Sequence, residues 1–257
     1  MVSYGSEGEQ TSPIIMRFSL IFALILTFLR ADDMPIQKTV RYGPVQFTAV
    51  KNGESNRRYI WLHGDEKTAE MALKYHIKHY KGTAFFINSN DRVVLANGLK
   101  LDPNRIFSTK GTKKTLLKYH PEVSKNKKNA IVEALDKERE RFLEELLSPE
   151  GSLVVALHNN FRGYSIDSEI ENSVTYSVKP GQRRQDFFLC TDRADYEILS
   201  KSPFNVVLQS NDDELDDGSL SRFMGRKGVR YVNIEVKLGW LSQQKKMLKY
   251  LEYSLPK

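Results

Sequence analysis

Residues 57–80 read RRYIWLHGDEKTAEMALKYHIKHY, and within that stretch the chain changes from one periodicity to another. Tyr59-Ile60-Trp61-Leu62 is a short apolar run of the kind that fills a buried strand. His63-Gly64-Asp65-Glu66 then interrupts it. From residue 67 onward Ala69, Leu73, Ile77 and Tyr80 recur at helical spacing, which predicts a helix over 67–80 with one apolar face. The alternation of strand and helix continues in both directions. Upstream, Val45, Phe47 and Ala49 alternate before an Asn52-Gly53 turn, so residues 57–62 read as the return strand of a hairpin. Downstream, residues 82–88 and 92–96 read as strands. A long helix over 129–147 carries the stripe Ile131, Val132, Leu135, Phe142, Leu143 and Leu146, and Ser148-Pro149-Glu150-Gly151 stops it. Strands follow at 152–157, 186–190, 204–208 and 229–236, and a helix over 240–253 closes the chain. This pattern points to an α/β fold with a mixed or parallel sheet covered by helices.

A chain of 257 residues suits one large domain, and 40% hydrophobic with 28% charged residues is a globular composition. The N-terminus reads separately. Arg17 precedes an apolar stretch over 18–29, which Arg30-Ala31-Asp32-Asp33 ends. That order describes a secretory signal peptide with Met16 as the initiator and Ala31 as the cleavage residue, too short for a membrane span of about 20 residues. Residues 1–31 are therefore expected to be an N-terminal extension and signal peptide, and residues 32–257 the functional domain of an exported, periplasmic or extracellular protein. Losing 1–31 removes Arg17 and Arg30 together with Glu7 and Glu9, so the net charge stays at +7. Cys190 is the only cysteine, which excludes an intramolecular disulfide, and it reads as a buried small hydrophobe.

His63 and Glu66 form an H-x-x-E pair where strand gives way to helix, and His158 ends the apolar run Leu153-Val154-Val155-Ala156-Leu157. Two imidazoles and a carboxylate leave one zinc position open for water, as catalytic zinc sites require. In open α/β sheets, ligands bind at the carboxyl ends of strands, where both histidines fall. Four motifs then occur in order: His63-Gly64-Asp65-Glu66, Asp102-Pro103-Asn104-Arg105-Ile106-Phe107, Leu157-His158-Asn159 and Ile234-Glu235-Val236. Together they resemble the zinc carboxypeptidase superfamily, most closely its succinylglutamate desuccinylase/aspartoacylase branch. The resemblance implies a three-layer α/β/α fold with a central mixed, mostly parallel twisted sheet. It also implies Zn²⁺ on His63, Glu66 and His158, with Glu235 as the general base that takes a proton from the activated water. By the same resemblance Asp102 hydrogen-bonds the first histidine, Arg105 pairs with a substrate carboxylate, and Asn104 adds an amide contact.

The sequence departs from that pattern at two points. An oxyanion-stabilising arginine is missing before Asp102, where Lys100 is the nearest cation and Arg92 the nearest guanidinium. Lys237-Leu238 replace the branch's Gly-Pro. Other residues carry less: Arg162 and Tyr164 follow His158 and face either the cleft or a turn, His76 and His79 read as structural, and His120 as a loop residue. The acidic run 212–217 lacks calcium-loop spacing and reads as a solvated loop. Serine-hydrolase and phosphate-loop motifs are absent. The function expected is an amide hydrolase acting beside a free carboxylate, on a peptide, a cell-wall peptide or an N-acyl amino acid. Neither nucleic acid nor a lasting membrane anchor is an expected partner. The alternatives are a weak or inactive relative that binds peptide or cell-wall polymer in the same pocket, and a basic module for anionic polymer.

Overall fold

The computed structural model describes residues 1–3, 35–161 and 163–257, so the expected signal segment and Arg162 lie outside the described residues. Pro35–Lys257 forms one compact unit. Its first elements are β1 (Ile36–Tyr42), β2 (Val45–Asn52), β3 (Arg57–Trp61), α1 (Lys67–His79) and β4 (Gly82–Ile87). Next come β5 (Val94–Ala96), β6 (Leu99–Leu101), α2 (Thr109–Tyr119), α3 (Lys125–Leu147) and β7 (Leu153–Asn160). The remainder is α4 (Asp167–Ile170), β8 (Ser173–Ser177), β9 (Phe187–Cys190), α5 (Arg193–Leu199), β10 (Asn205–Gln209), α6 (Leu220–Arg226), β11 (Tyr231–Lys237) and α7 (Leu241–Ser254).

Nine strands form one sheet in the order β1-β2-β4-β3-β7-β11-β9-β10-β8, and β5 pairs with β6 in a separate hairpin. The central run β4-β3-β7-β11 is parallel throughout. Every residue of β3, β4 and β7 is buried, as strands covered on both faces must be. The fold is therefore α/β, with helices flanking a mixed sheet whose central strands are parallel.

The hairpin expected between 45–49 and 57–62 does not form. β2 pairs with β1 and β4, and β4 lies between it and β3. The reason is burial: β2 alternates between buried and more accessible residues, as one-sided cover demands, whereas β3 is apolar enough for the sheet's centre. The real hairpin joins β1 to β2 through Gly43-Pro44, with Tyr42 opposite Val45 and Gly43 at φ 54°. α1 buries Ala69, Leu73 and Ile77 as its spacing predicted. α3 buries the whole predicted stripe but begins four residues earlier, at Lys125, where the Ser124 side chain accepts from Lys127 N–H.

The element order places the site. β3 leads through α1 to β4 on one side, while β7 lies on its other side and β11 beyond. The carboxyl ends of β3, β7 and β11 thus open together where the chain's direction of travel across the sheet reverses.

Candidate metal centre

The turn after β3 is fixed by a close approach. Gly64 N–H donates to the Asp91 carbonyl at 3.0 Å, and a Cβ at Gly64 would lie 2.2 Å from the Ser89 carbonyl oxygen, so only glycine fits. Trp61 Nε1–H donates to the Glu66 carbonyl at 3.1 Å, and Glu66 N–H to the His63 carbonyl at 3.1 Å. The turn leaves Glu66 at the N-cap of α1, where the helix dipole favours its negative charge.

His63, Glu66 and His158 are all buried, and one ligand atom from each lies within 4.8 Å of the others. His63 Nδ1 stands 2.8 Å from Glu66 Oε1, and His158 Nδ1 stands 2.9 Å from Glu66 Oε2. Behind His63, Asp102 Oδ1 lies 2.9 Å from Nε2. A carboxylate there accepts the Nε2–H, which would leave Nδ1 to face a metal held beside Glu66, the arrangement that orients a metal-binding histidine. Asn159 N–H donates to Glu66 Oε2 at 3.1 Å. This donor set, two imidazole nitrogens and a carboxylate with a carboxylate behind one ring, fits a divalent metal such as zinc.

The charges are tightly balanced. Burial pulls the His63 pKa down, but the Glu66 charge and the hydrogen bonds that the ring donates to Asp102 and Glu66 outweigh it and push the value up to about 9. Burial raises the Glu66 pKa, and the two imidazoles more than reverse that, holding its carboxyl well below the usual range. Asp102 follows the same pattern, lowered by His63 and by Arg105 against the effect of burial.

A cavity of about 350 Å³ opens on this group and reaches Glu235 and Arg105. Glu235 sits opposite His158 in the β11–β7 register. Asn233 Nδ2 donates to its Oε1 at 3.0 Å and Asn160 Nδ2 to its Oε2 at 3.3 Å. Burial raises its pKa, His158 opposes, Glu66 adds to the rise, and the two amides lower it, with a net upward shift. A carboxylate shifted upward is a better proton acceptor near neutrality.

The other expected site residues fall as follows. Arg105 lines the cavity, with Nη1–H donating to the Asn104 carbonyl at 2.7 Å and Nη2 lying 3.6 Å from Asp217 Oδ2. Asn104 lines it too, but its side-chain oxygen already accepts from Leu220 N–H at 3.0 Å. Lys100 does not line the cavity. Leu99 and Leu101 on β6 are buried, so the alternation of a strand sends Lys100 out to solvent. The guanidinium beside the centre is Arg92, whose Nη1–H donates to Glu66 Oε1 at 3.0 Å. Tyr164 also lines the cavity, and its hydroxyl donates to Glu169 Oε1 at 2.6 Å. The acidic run is pinned at its end rather than loose: Asp216 accepts from Ser108 Oγ and pairs with Arg226, and Asp217 pairs with Arg105.

Among the lining residues that had no place in the motifs are Asn160, Glu169, Arg222 and Asn233. Asn233 was readable in principle, because it is two positions before Glu235 and so shares its strand face. Glu169 and Arg222 meet at 3.6 Å only in the folded chain.

No family model matches the chain, and no curated protein does. Among solved structures, bovine thrombin-activatable fibrinolysis inhibitor in complex with tick carboxypeptidase inhibitor is similar, over 96% of this chain and 99% of that one. The identity is 13% and the TM-score 0.37. At that score the two chains superpose loosely, and what the centre can do follows from its own residues.

Proposed function

We propose that this chain is an exported zinc metallohydrolase that cleaves an amide bond beside a free carboxylate, of the carboxypeptidase or N-acyl amino acid deacylase type. The observation that carries the reading is the convergence of His63 Nδ1, His158 Nδ1 and the Glu66 carboxylate at one end of a cavity that Glu235 shares. When bound there, zinc supplies Lewis acidity that polarises a carbonyl and makes water acidic near neutral pH. Glu235 takes the proton from the attacking water and passes it to the leaving amine. Asn160 and Asn233 hold its two carboxylate oxygens in place for both transfers. Arg92 reaches the centre with a guanidinium and takes the oxyanion-stabilising role that the sequence leaves vacant before Asp102. Arg105 reads the substrate carboxylate, which must displace the longer Asp217 contact at 3.6 Å. Export rests on the reading of residues 16–31, and it favours a peptide or cell-wall peptide substrate.

Elemental analysis of the purified chain tests the metal. One zinc per chain is expected, and His63→Ala and His158→Ala should each remove it. Full metal retention in both variants would discard the ligand set. The second reading, a weak or inactive relative that binds peptide or cell-wall polymer, is favoured by the Arg105–Asp217 pair, which fills the carboxylate reader from within. Zinc binding without turnover on any acyl amino acid or peptide would select it.

A further inference from the structure

A second pair of charges lines the cavity away from the metal centre. His63 and Glu66 follow β3 and His158 lies on β7, whereas Asn233 on β11 stands opposite Leu189 on β9, and both of these also line the cavity. The cavity therefore runs across the sheet from the candidate ligands, past Glu235, to β9. On its wall Glu169 of α4 faces Arg222 of α6, with Nη2 at 3.6 Å from Oε2.

These two charges are largely buried, and neither closes on the other. The Arg222 side chain is 9% exposed and the Glu169 side chain 17%. Arg222 Nη1–H donates to the Ser210 carbonyl at 2.6 Å, and the Tyr164 hydroxyl donates to Glu169 Oε1 at 2.6 Å. Each partner is thus held from its own side, which leaves Nη2 and Oε2 facing each other beyond hydrogen-bond distance. Arg230 and Asp195 show how a pair that only fastens two elements is built, with two bonds of 3.0 and 2.7 Å. Burying two charges without that closure costs stability, so folding gives no reason for the gap. A further polar atom is open nearby. Asn233 turns its Nδ2–H to the Glu235 carboxylate at 3.0 Å, and its buried Oδ1 has no hydrogen-bond partner among the described residues.

We infer that this wall is a subsite for a substrate residue whose side chain ends in an ammonium and a carboxylate together, inserted between Glu169 and Arg222; the inference rests on the hydrolytic reading above. An ammonium brings three donors and no acceptor, which suits the Glu169 carboxylate and Asn233 Oδ1. The carboxylate accepts from the open edge of the Arg222 guanidinium. Leu189 gives the methylene stem an apolar surface. A side chain with one charge answers only half of the pair, and an apolar one leaves both halves unmet. Because Arg105 takes the carboxylate beside the scissile amide, the substrate class is an N-acylated diamino dicarboxylic acid.

Four amino acids of similar carbon skeleton test this: norleucine, lysine, α-aminoadipate and diaminopimelate, whose side chains end in no charge, an ammonium, a carboxylate, and both. Hydrolysis is measured on their N-acetyl forms, acylated at one α-nitrogen, and binding of the free amino acids to the full chain by calorimetry. Diaminopimelate should exceed either singly charged relative by about 10–10²-fold in kcat/KM and in affinity, with norleucine last. Arg222→Gln should weaken diaminopimelate and aminoadipate and spare lysine, while Glu169→Gln should weaken diaminopimelate and lysine and spare aminoadipate. A merely structural pair cannot give that crossed pattern. If Arg222→Gln does not fold, Glu169→Gln decides alone. The inference is overturned if norleucine is taken as well as diaminopimelate, or if each folded variant weakens all four alike. Hydrolysis without the order would keep the hydrolase and discard the subsite; the order in calorimetry without hydrolysis would keep the subsite and discard the hydrolase.

Discussion

β3 carries a buried histidine–glutamate cluster at each end, and the two are built differently. At the amino end, Tyr59 donates to Glu252 Oε2 at 2.7 Å, His76 Nε2 lies 3.1 Å from the Tyr59 hydroxyl, and Arg57 lies 3.7 Å from the same carboxylate. Arg57 Nη2 also donates to the Leu255 carbonyl at 2.6 Å. At the carboxyl end, Glu66 faces two imidazoles and opens on a cavity. The pKa shifts run in opposite senses. Burial lowers His76, aided by the charges of His79 and Arg57 against the pull of Glu252, whereas the carboxylates around His63 overcome burial and raise it. A carboxylate shared among a tyrosine, an arginine and a histidine is a closed network that fastens α7 to the sheet. A carboxylate placed between two Nδ1 atoms fits a metal ion.

Breaking that contrast gives its predictions. Glu235→Gln keeps size and removes basicity, so turnover should fall by about 10²–10⁴-fold with zinc content and melting temperature unchanged. Unaltered turnover would move the general base elsewhere. Glu252→Ala should act in reverse, costing about 3–5 kcal/mol of stability in denaturant titration because buried Arg57 loses its counter-charge. Zinc per folded chain should remain one, and a parallel loss of metal would mean that the two ends are a single unit. Tyr59→Phe removes one link of the same network and should cost about 1.5–3 kcal/mol by the same measurement.

The smallest effect concerns pH. His76 and Glu252 both have depressed pKa values in the folded chain, burial being outweighed at Glu252 by His76, Tyr59 and Arg57. The unfolded chain therefore binds more protons, and the stability these groups contribute is complete above their ordinary values of 6.5 and 4.5. It should fall as pH drops below 6.5 and fall again below 4.5. Glu252→Gln should flatten the lower part of that slope, and an unchanged slope would place the acid sensitivity in other groups.

How far the sequence could be read follows from the kind of signal each part leaves. His63, His158 and Glu235 were legible because each follows an apolar run near the carboxyl end of a strand, and β3, β7 and β11 are apolar enough to be recognised as interior. α2 was invisible because its buried face is glycine, threonine and a single leucine, which leaves no apolar period. β1 exposes its first four residues and gave no strand pattern. Pairing was harder still. Adjacency in sequence favoured β2 with β3, and only burial on both faces of β3 reverses it. Arg92 was named only by proximity in sequence, since the β5–β6 hairpin between it and Asp102 hides their approach to one centre.

Asn159 receives Ala69 N–H from α1 at 2.8 Å on its Oδ1 and donates through Nδ2 to Gln244 Oε1 on α7 at 2.8 Å. Gln244 in turn donates to the His158 carbonyl at 3.0 Å, across 86 positions of sequence. The residue that follows the candidate ligand His158 is thus locked by α7. A ribosome-bound chain truncated anywhere before residue 244 lacks that lock, so the centre reaches its final shape only once Gln244 on α7 has been synthesised. Timing of assembly is built into the hydrogen bonds of a single asparagine.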